Sequence, residues 1–213
     1  MADLVFYTNP MSRGQTVRWM LEEVGAPYET EILDYGTTMK AEPYLSINPM
    51  GKVPAIRHNG KVVTESAAIC AYLAESFPET GLAPGADERA AYYRWLFFAA
   101  GPLEHAVTNK AMAFAHPAER DRMFGYGNYD ITVDVLDRML SKNDYACGGR
   151  YTAADVYLGS QVMACTEFNM LPARDSFVAY GARLAAREAC RRAKEIDGKL
   201  IAEMQAKQES ADA

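Results

Sequence analysis

Apolar and polar positions divide the chain into two regimes. LVFYT at residues 4–8 is a continuous β-branched and aromatic run, the pattern of a buried strand. After Ser12, the run RGQTVRWMLEEVG repeats Val17, Met20, Leu21 and Val24 at helical spacing, and Gly25 suits the helix C-terminus. Residues 28–33 predict a second strand, and residues near 39–46 a short, weakly patterned helix. Ala55 and Ile56 begin a third strand, the turn His58-Asn59-Gly60 follows, and Lys61 to Thr64 forms its hairpin partner. ESAAICAYLAESF (65–77) aligns Ala68, Ile69, Tyr72 and Leu73 along one helical stripe. The order βαβαββα predicts a small mixed sheet with helices on its faces. PETGLAPGA (78–86) then interrupts the pattern, with the proline and glycine content of a domain linker. Beyond it every long segment reads as helix: 87–115, 119–140, 152–168, 175–186 and 188–206. Pro102 is expected to kink or split the first of these, and the terminal QESADA to fray.

Composition narrows the classes of function. A length of 213 residues suits one large domain or two small ones, and 49% hydrophobic residues are enough for a core. A net charge of −6 argues against a nucleic-acid partner, which calls for a basic patch. No apolar run approaches membrane-spanning length, and MADLVFYTNP lacks the basic start and long apolar stretch of a signal peptide. The expectation is a cytoplasmic protein without membrane attachment. Cys70, Cys147, Cys165 and Cys190 are scattered without a metal-ligand spacing, and His58, His105 and His116 are too dispersed for a metal site.

Four local features carry chemistry. Ser12 stands at or just before a helix N-terminus, where a hydroxyl ordinarily caps an orphan N–H. Pro54 stands where a strand begins, a place that suits a residue without an N–H, and an X-Pro bond can take the cis form. Glu65 and Ser66 open a helix directly after a strand, a capping arrangement that also recognises anions and ammonium groups. Thr152 and Asp155 have the spacing of a capping box, which anchors a helix.

A sheet domain carrying VP and then TES, a proline-rich linker, and a helical region containing TAADVYLGS together resemble the cytosolic glutathione S-transferase superfamily. SRGQTVRWMLEEVGAPYE is similar to its bacterial, theta-like members. The resemblance implies a thioredoxin-like N-terminal domain (1–77), a linker (78–86) and an all-helical domain (87–213) that supplies the electrophile site. It implies an enzyme that binds glutathione as co-substrate, activates its thiol and conjugates it to small hydrophobic electrophiles, a detoxification chemistry; glutathione-dependent isomerase or peroxidase work, or a non-catalytic interaction role, are the alternatives. Val53 would pair its backbone with the cysteinyl residue, with cis Pro54 presenting that edge. Glu65 would take the γ-glutamyl ammonium and Ser66 its α-carboxylate, while Lys52 would assist near the ligand backbone or glycyl carboxylate. Ser12 would activate the thiol, with Tyr7 as the rival hydroxyl, and Arg13 could add positive potential. Phe98 and His105, near Pro102, are candidate walls for the electrophile in a cleft between the domains. No metal is implied, and a homodimer is expected through the exposed sides of 66–77 and 87–98.

The activation is modest in energy. A cysteine-like thiol near pKa 8.5 is only ~3% ionised at pH 7. Lowering that pKa by about two units takes roughly 2.7 kcal/mol. One charge-assisted hydrogen bond supplies about 1.5–3 kcal/mol, and a helix N-terminus adds about 0.3–1. A single hydroxyl at a helix start therefore suffices. Members that exchange disulfides carry a cysteine near this turn; this chain has none before Cys70, which disfavours such exchange and favours conjugation or glutathione peroxidase-like work.

Overall fold

The structure, a computed structural model, describes residues 3–211. Strand β1 (Leu4–Thr8) is buried at every position and occupies the interior of a four-stranded sheet of order β2-β1-β3-β4. β2 (Glu29–Ile32) runs parallel to it, and a parallel neighbour requires a crossover element. Helix α1 (Gly14–Val24) is that crossover; it buries Val17, Met20 and Leu21 and stops at Gly25, whose φ of 71° lets its N–H reach the Leu21 carbonyl. β3 (Ala55–His58) and β4 (Lys61–Thr64) form the hairpin. Both residues of its Asn59-Gly60 turn have positive φ, as a tight two-residue connection demands. Helix α2 (Ser66–Ser76) follows and buries Ile69, Cys70, Leu73 and Ala74.

One local expectation gives way here. Instead of a helix at 39–46 there are two 3₁₀ turns, Thr38–Lys40 and Tyr44–Ser46. Pro43 between them has no N–H to continue a helix, and it disfavours helical geometry at Glu42. The turns deliver Met39 and Tyr44 to a core cluster with Val5, Tyr7, Leu33 and Ala55.

The segment Gly81–Ala185 forms a second compact unit, made of α3 (Arg89–Phe98), α4 (Glu104–Ala111), α5 (Tyr129–Leu140), α6 (Ala153–Glu167) and α7 (Asp175–Ala185). Pro102 splits the first long segment: Ala99–Leu103 is a widened π-turn between α3 and α4. The expected helix over 119–140 begins only at Tyr129, where the Asn128 side chain caps the Ile131 N–H at 3.0 Å. Gly125 and Gly127, the latter at φ 66°, separate it from a 3₁₀ turn at Ala118–Met123.

Asp155 is the polar hub of this unit. Wholly buried, it accepts the Thr152 N–H at 2.8 Å, the Ala146 N–H at 2.6 Å and the Tyr180 hydroxyl at 2.9 Å. It thereby closes the capping box on α6 and ties the preceding loop and α7 to it. Burial raises its pKa even against these donated bonds. Gly159 lets α7 approach, because a Cβ there would lie 2.1 Å from Leu184 Cδ1. Glu88, paired with Arg150, has its pKa lowered to about 2, chiefly by that side-chain bond. The pair's contribution is complete above the ordinary value of 4.5 and is lost as pH falls towards 2.

The last helix, α8 (Glu188–Ala211), belongs by its packing to the first unit, which comprises the chain up to Thr80 and the segment from Ala186 onward. The sequence reading groups it instead with the helices of 87–213. Its main neighbour is α1. Arg18 Nε meets Asp197 Oδ1 at 3.1 Å, with both side chains almost fully buried. Glu22–Arg192 at 2.6 Å and Glu23–Arg187 at 2.7 Å add pairs nearer the C-terminal end of α1.

Replacing Asp155 by alanine would orphan two backbone N–H groups and a tyrosine hydroxyl in the core. At about 1–2 kcal/mol for each, urea unfolding of Asp155→Ala should show a loss of about 3–6 kcal/mol.

Candidate active site

Strand register gathers the predicted residues. Tyr7 lies opposite Ala55, and Ala55 opposite Thr64. The C-terminal end of β1, the start of β3 and the end of β4 therefore share one end of the sheet. Three chain segments leave from there: Asn9–Arg13 into α1, Lys52–Pro54 into β3, and Glu65–Ser66 into α2.

The first segment is built on Asn9, which is buried with Thr8. The Asn9 amide donates to the Leu33 carbonyl at 2.9 Å, and its side-chain oxygen accepts the Met11 N–H at 3.0 Å. Pro10 fills the corner. The Ser12 hydroxyl donates to the Asn9 carbonyl at 2.6 Å and accepts the Gly14 N–H at 2.9 Å. Arg13, not Ser12, occupies the helix boundary, so Ser12 stands one residue ahead of it while still satisfying a first-turn donor. Only glycine fits at position 14, because a Cβ there would sit 1.9 Å from Thr8 Oγ1. That close approach holds the hydroxyl against the strand end. Arg13 is exposed and has an interaction partner.

Tyr7, the rival hydroxyl, has only 2% of its surface exposed and packs in the cluster with Tyr44, their rings 5.7 Å apart. Burial, opposed by Arg57, raises its pKa above the usual phenol value.

The second segment repeats the first one's turn chemistry. The Asn48 side-chain oxygen accepts the Met50 N–H at 3.1 Å, with Pro49 between them. Tyr44 Oη at 2.5 Å and Asn48 Nδ2 at 2.8 Å both donate to the Lys52 carbonyl, and Lys40 Nζ donates to the Gly51 carbonyl at 2.6 Å. The backbone entering Val53 is thus pinned from three sides. The Val53–Pro54 peptide is cis. Among the described residues, neither the Val53 N–H nor its C=O has a hydrogen-bond partner. The Lys52 side chain is exposed.

The third segment contains a strained residue. Glu65 caps α2 with φ 67° and ψ 116°, a conformation that side chains other than glycine avoid at a cost of about 1–3 kcal/mol. Among the described residues its carboxylate has no hydrogen-bond or ion-pair partner, and neither has the Ser66 hydroxyl. Glu65 is exposed and directly precedes the first N–H groups of α2. They are suited to a ligand end carrying both an ammonium and a carboxylate.

In the helical unit, Phe98 is half-buried, with its ring edge-on to Trp95 at 5.2 Å. His105 is exposed, its Nδ1 2.8 Å from the Gly101 carbonyl in the π-turn. A cavity of about 600 Å3 beside β2 is lined by Glu31, Lys40, Glu42 and Tyr44 among others, and by none of Ser12, Val53, Glu65 or Ser66.

Comparison with known proteins fits this geometry. Residues 11–76 match the family model for the glutathione S-transferase N-terminal domain. A sphingomonad glutathione S-transferase, solved in complex with glutathione, superposes with a TM-score of 0.74 at 26% identity, covering 91% of this chain and 98% of its own. The described residues have the glutathione S-transferase fold, a thioredoxin-like β/α domain with a four-stranded mixed sheet followed by a helical domain. Glutathione S-transferase hmp2 of Hypomyces subiculosus is 29% identical, over 71% of this chain and 77% of its own length. Maleylacetoacetate isomerase of Pseudomonas aeruginosa is 28% identical, over 72% and 77%.

Sequence reasoning missed the residues that shape these loops: Asn9, Lys40, Tyr44 and Asn48. A signal for two of them was present, since Asn-Pro occurs at 9–10 and 48–49 and that dipeptide initiates turns.

Gly14→Ala should lower stability by about 1–3 kcal/mol through overpacking against Thr8. Thr8→Ala, which removes Oγ1, should recover most of that loss; a double-mutant cycle from thermal unfolding measures it.

Proposed function

We propose that this protein is a glutathione transferase that ionises the glutathione thiol at Ser12 and adds the thiolate to small hydrophobic electrophiles. The observation that carries this reading is the convergence, at one end of the sheet, of a hydroxyl at a helix start, an unpaired backbone edge at Val53, and the unpartnered Glu65 and Ser66. Glutathione is an extended peptide with a thiol in its middle and an amino-acid end, and the three segments match its parts in that order. Val53 takes the cysteinyl backbone, Glu65 the ammonium, Ser66 the α-carboxylate, and Lys52 the glycyl end.

Ser12 can turn its O–H from the Asn9 carbonyl to the thiolate at little cost, while the thiol's own proton passes to solvent. The Asn9 carbonyl also accepts the Ser12 N–H at 3.1 Å and the Thr8 hydroxyl at 3.3 Å, so it stays satisfied when the Ser12 hydroxyl turns to the sulfur. Meanwhile the Gly14 N–H remains on Ser12 Oγ and polarises it, strengthening its O–H as a donor. Tyr7 is the weaker candidate, because its side chain is buried in the cluster with Tyr44 and has only 2% of its surface exposed. Phe98 and His105 are proposed as walls for the electrophile. Isomerisation of a glutathione adduct is the second reading, favoured by the similarity to maleylacetoacetate isomerase. Retention on immobilised glutathione followed by turnover of an aryl halide supports conjugation. Retention without such turnover favours the isomerase or a binding role, and no retention contradicts all three.

The family's usual assembly suggests a homodimer through the exposed sides of 66–77 and 87–98; light scattering at micromolar concentration should give twice the chain mass, and a monomer mass would refute it.

Ser12→Ala should raise the bound thiol's pKa by about one to two units, following the worth of a charge-assisted bond. Thiolate absorbance titrated against pH in the binary complex measures it, and Tyr7→Phe should leave the value unmoved. Glu65→Gly should separate binding from stability. Relief of the positive φ should hold or raise the unfolding temperature, while glutathione affinity falls about ten- to a hundredfold with the lost charge-assisted contact.

A further inference from the structure

We propose that Asp197, in the last helix and far from the sheet end in sequence, is a positioning residue that orients the Ser12 turn through Arg18. The proposal rests on Ser12 being the activating hydroxyl. Arg18 lies one helical turn beyond Gly14, the residue whose N–H is held by Ser12. Its guanidinium is the fastening point of the whole unit. It sits 5.0 Å from the Phe6 ring centre and 5.6 Å from that of Tyr28, and it donates to Tyr28 Oη at 3.1 Å and Thr30 Oγ1 at 2.9 Å. Its remaining directional contact is Nε to Asp197 Oδ1 at 3.1 Å. The first turns of α1 are thereby locked to β1 and β2 on one side and to α8 on the other.

Packing alone does not account for the pair. Arg18 Nη2 and Asp197 Oδ2 are buried without hydrogen-bond partners, so the two charges are incompletely compensated. Hydrocarbon side chains of similar volume would hold α8 on α1 at least as firmly, since buried ion pairs seldom outdo them in stability. Such side chains lack direction, however. An ion pair fixes the rotation of α1 about its axis and its height along the strand, and the Ser12–Gly14–Thr8 fit, with no room for a Cβ, is sensitive to both. The outer pairs Glu22–Arg192 and Glu23–Arg187 act at the other end of α1, away from Ser12.

The test uses the full-length protein with glutathione bound and compares four variants: Arg18→Met/Asp197→Leu, Asp197→Asn, Arg192→Gln and Ser12→Ala. Thiolate absorbance against pH, amide hydrogen exchange over residues 12–18 and the thermal midpoint are read for each. The double variant should keep the wild-type midpoint or exceed it. Its first-turn amides should exchange faster, and its bound thiol pKa should rise by about half a unit, a roughly threefold fall in the thiol's ionisation constant. Asp197→Asn, which keeps an oxygen on Arg18, should shift the same way by less, and it supplies the result if the double variant does not fold. Arg192→Gln should leave the thiol pKa in place. Unchanged exchange and thiol pKa in a folded double variant, with Ser12→Ala shifting as expected, would overturn the role of Asp197 and leave the Ser12 assignment standing. An equal shift in Arg192→Gln would overturn it too, since general loosening of α8 would then be the cause. If Ser12→Ala itself shifts nothing, the catalytic assignment fails first and the role of Asp197 falls with it.

Discussion

Strand β1 has a hydrogen-bonded neighbour on each side, parallel β2 and antiparallel β3, and the site depends on that enclosure. A strand paired on both edges cannot slip by one residue without turning its buried side chains to the wrong face. Its end is therefore a fixed point, and Thr8 at that end meets Gly14 so closely that no side chain intervenes. The same register brings Ala55 and Thr64 level with Tyr7, which places Val53 and Glu65 at the same end of the sheet as the Ser12 turn. The location of the site follows from the ladder, and its chemistry from what the ladder leaves at its end.

Polar groups there divide by whether the fold has already used them. Asn9, Asn48, Tyr44 and Lys40 spend their hydrogen bonds on the backbone and hold loops in shape. Glu65, Ser66 and the Val53 backbone have no such internal duty among the described residues. Glu65 also bears a strained φ. On the function proposed above, the strained and unpartnered Glu65 is kept for a ligand outside the chain.

Much of this was legible in the sequence because it is local. The Asn59-Gly60 turn, the Gly25 stop, the Thr152–Asp155 box and the Glu65–Ser66 helix start each depend on a few adjacent residues. Their convergence was not legible, since register couples residues that local patterns treat separately. The helix foreseen over 119–140 failed where Gly125 and Gly127 break the chain, and the one near 39–46 failed at Pro43. The docking of α8 was out of reach for a different reason. Arg18 and Asp197 are 179 positions apart, and each alone reads as an ordinary surface charge on a helix.

The most direct test of the account is a crystal structure of the protein with glutathione. The account predicts the sulfur within hydrogen-bond distance of Ser12 Oγ, the cysteinyl backbone paired with Val53, and the ligand ammonium at the Glu65 carboxylate. Glutathione bound with its sulfur on Tyr7, or lodged in the cavity beside β2 away from Glu65 and Ser66, would contradict it.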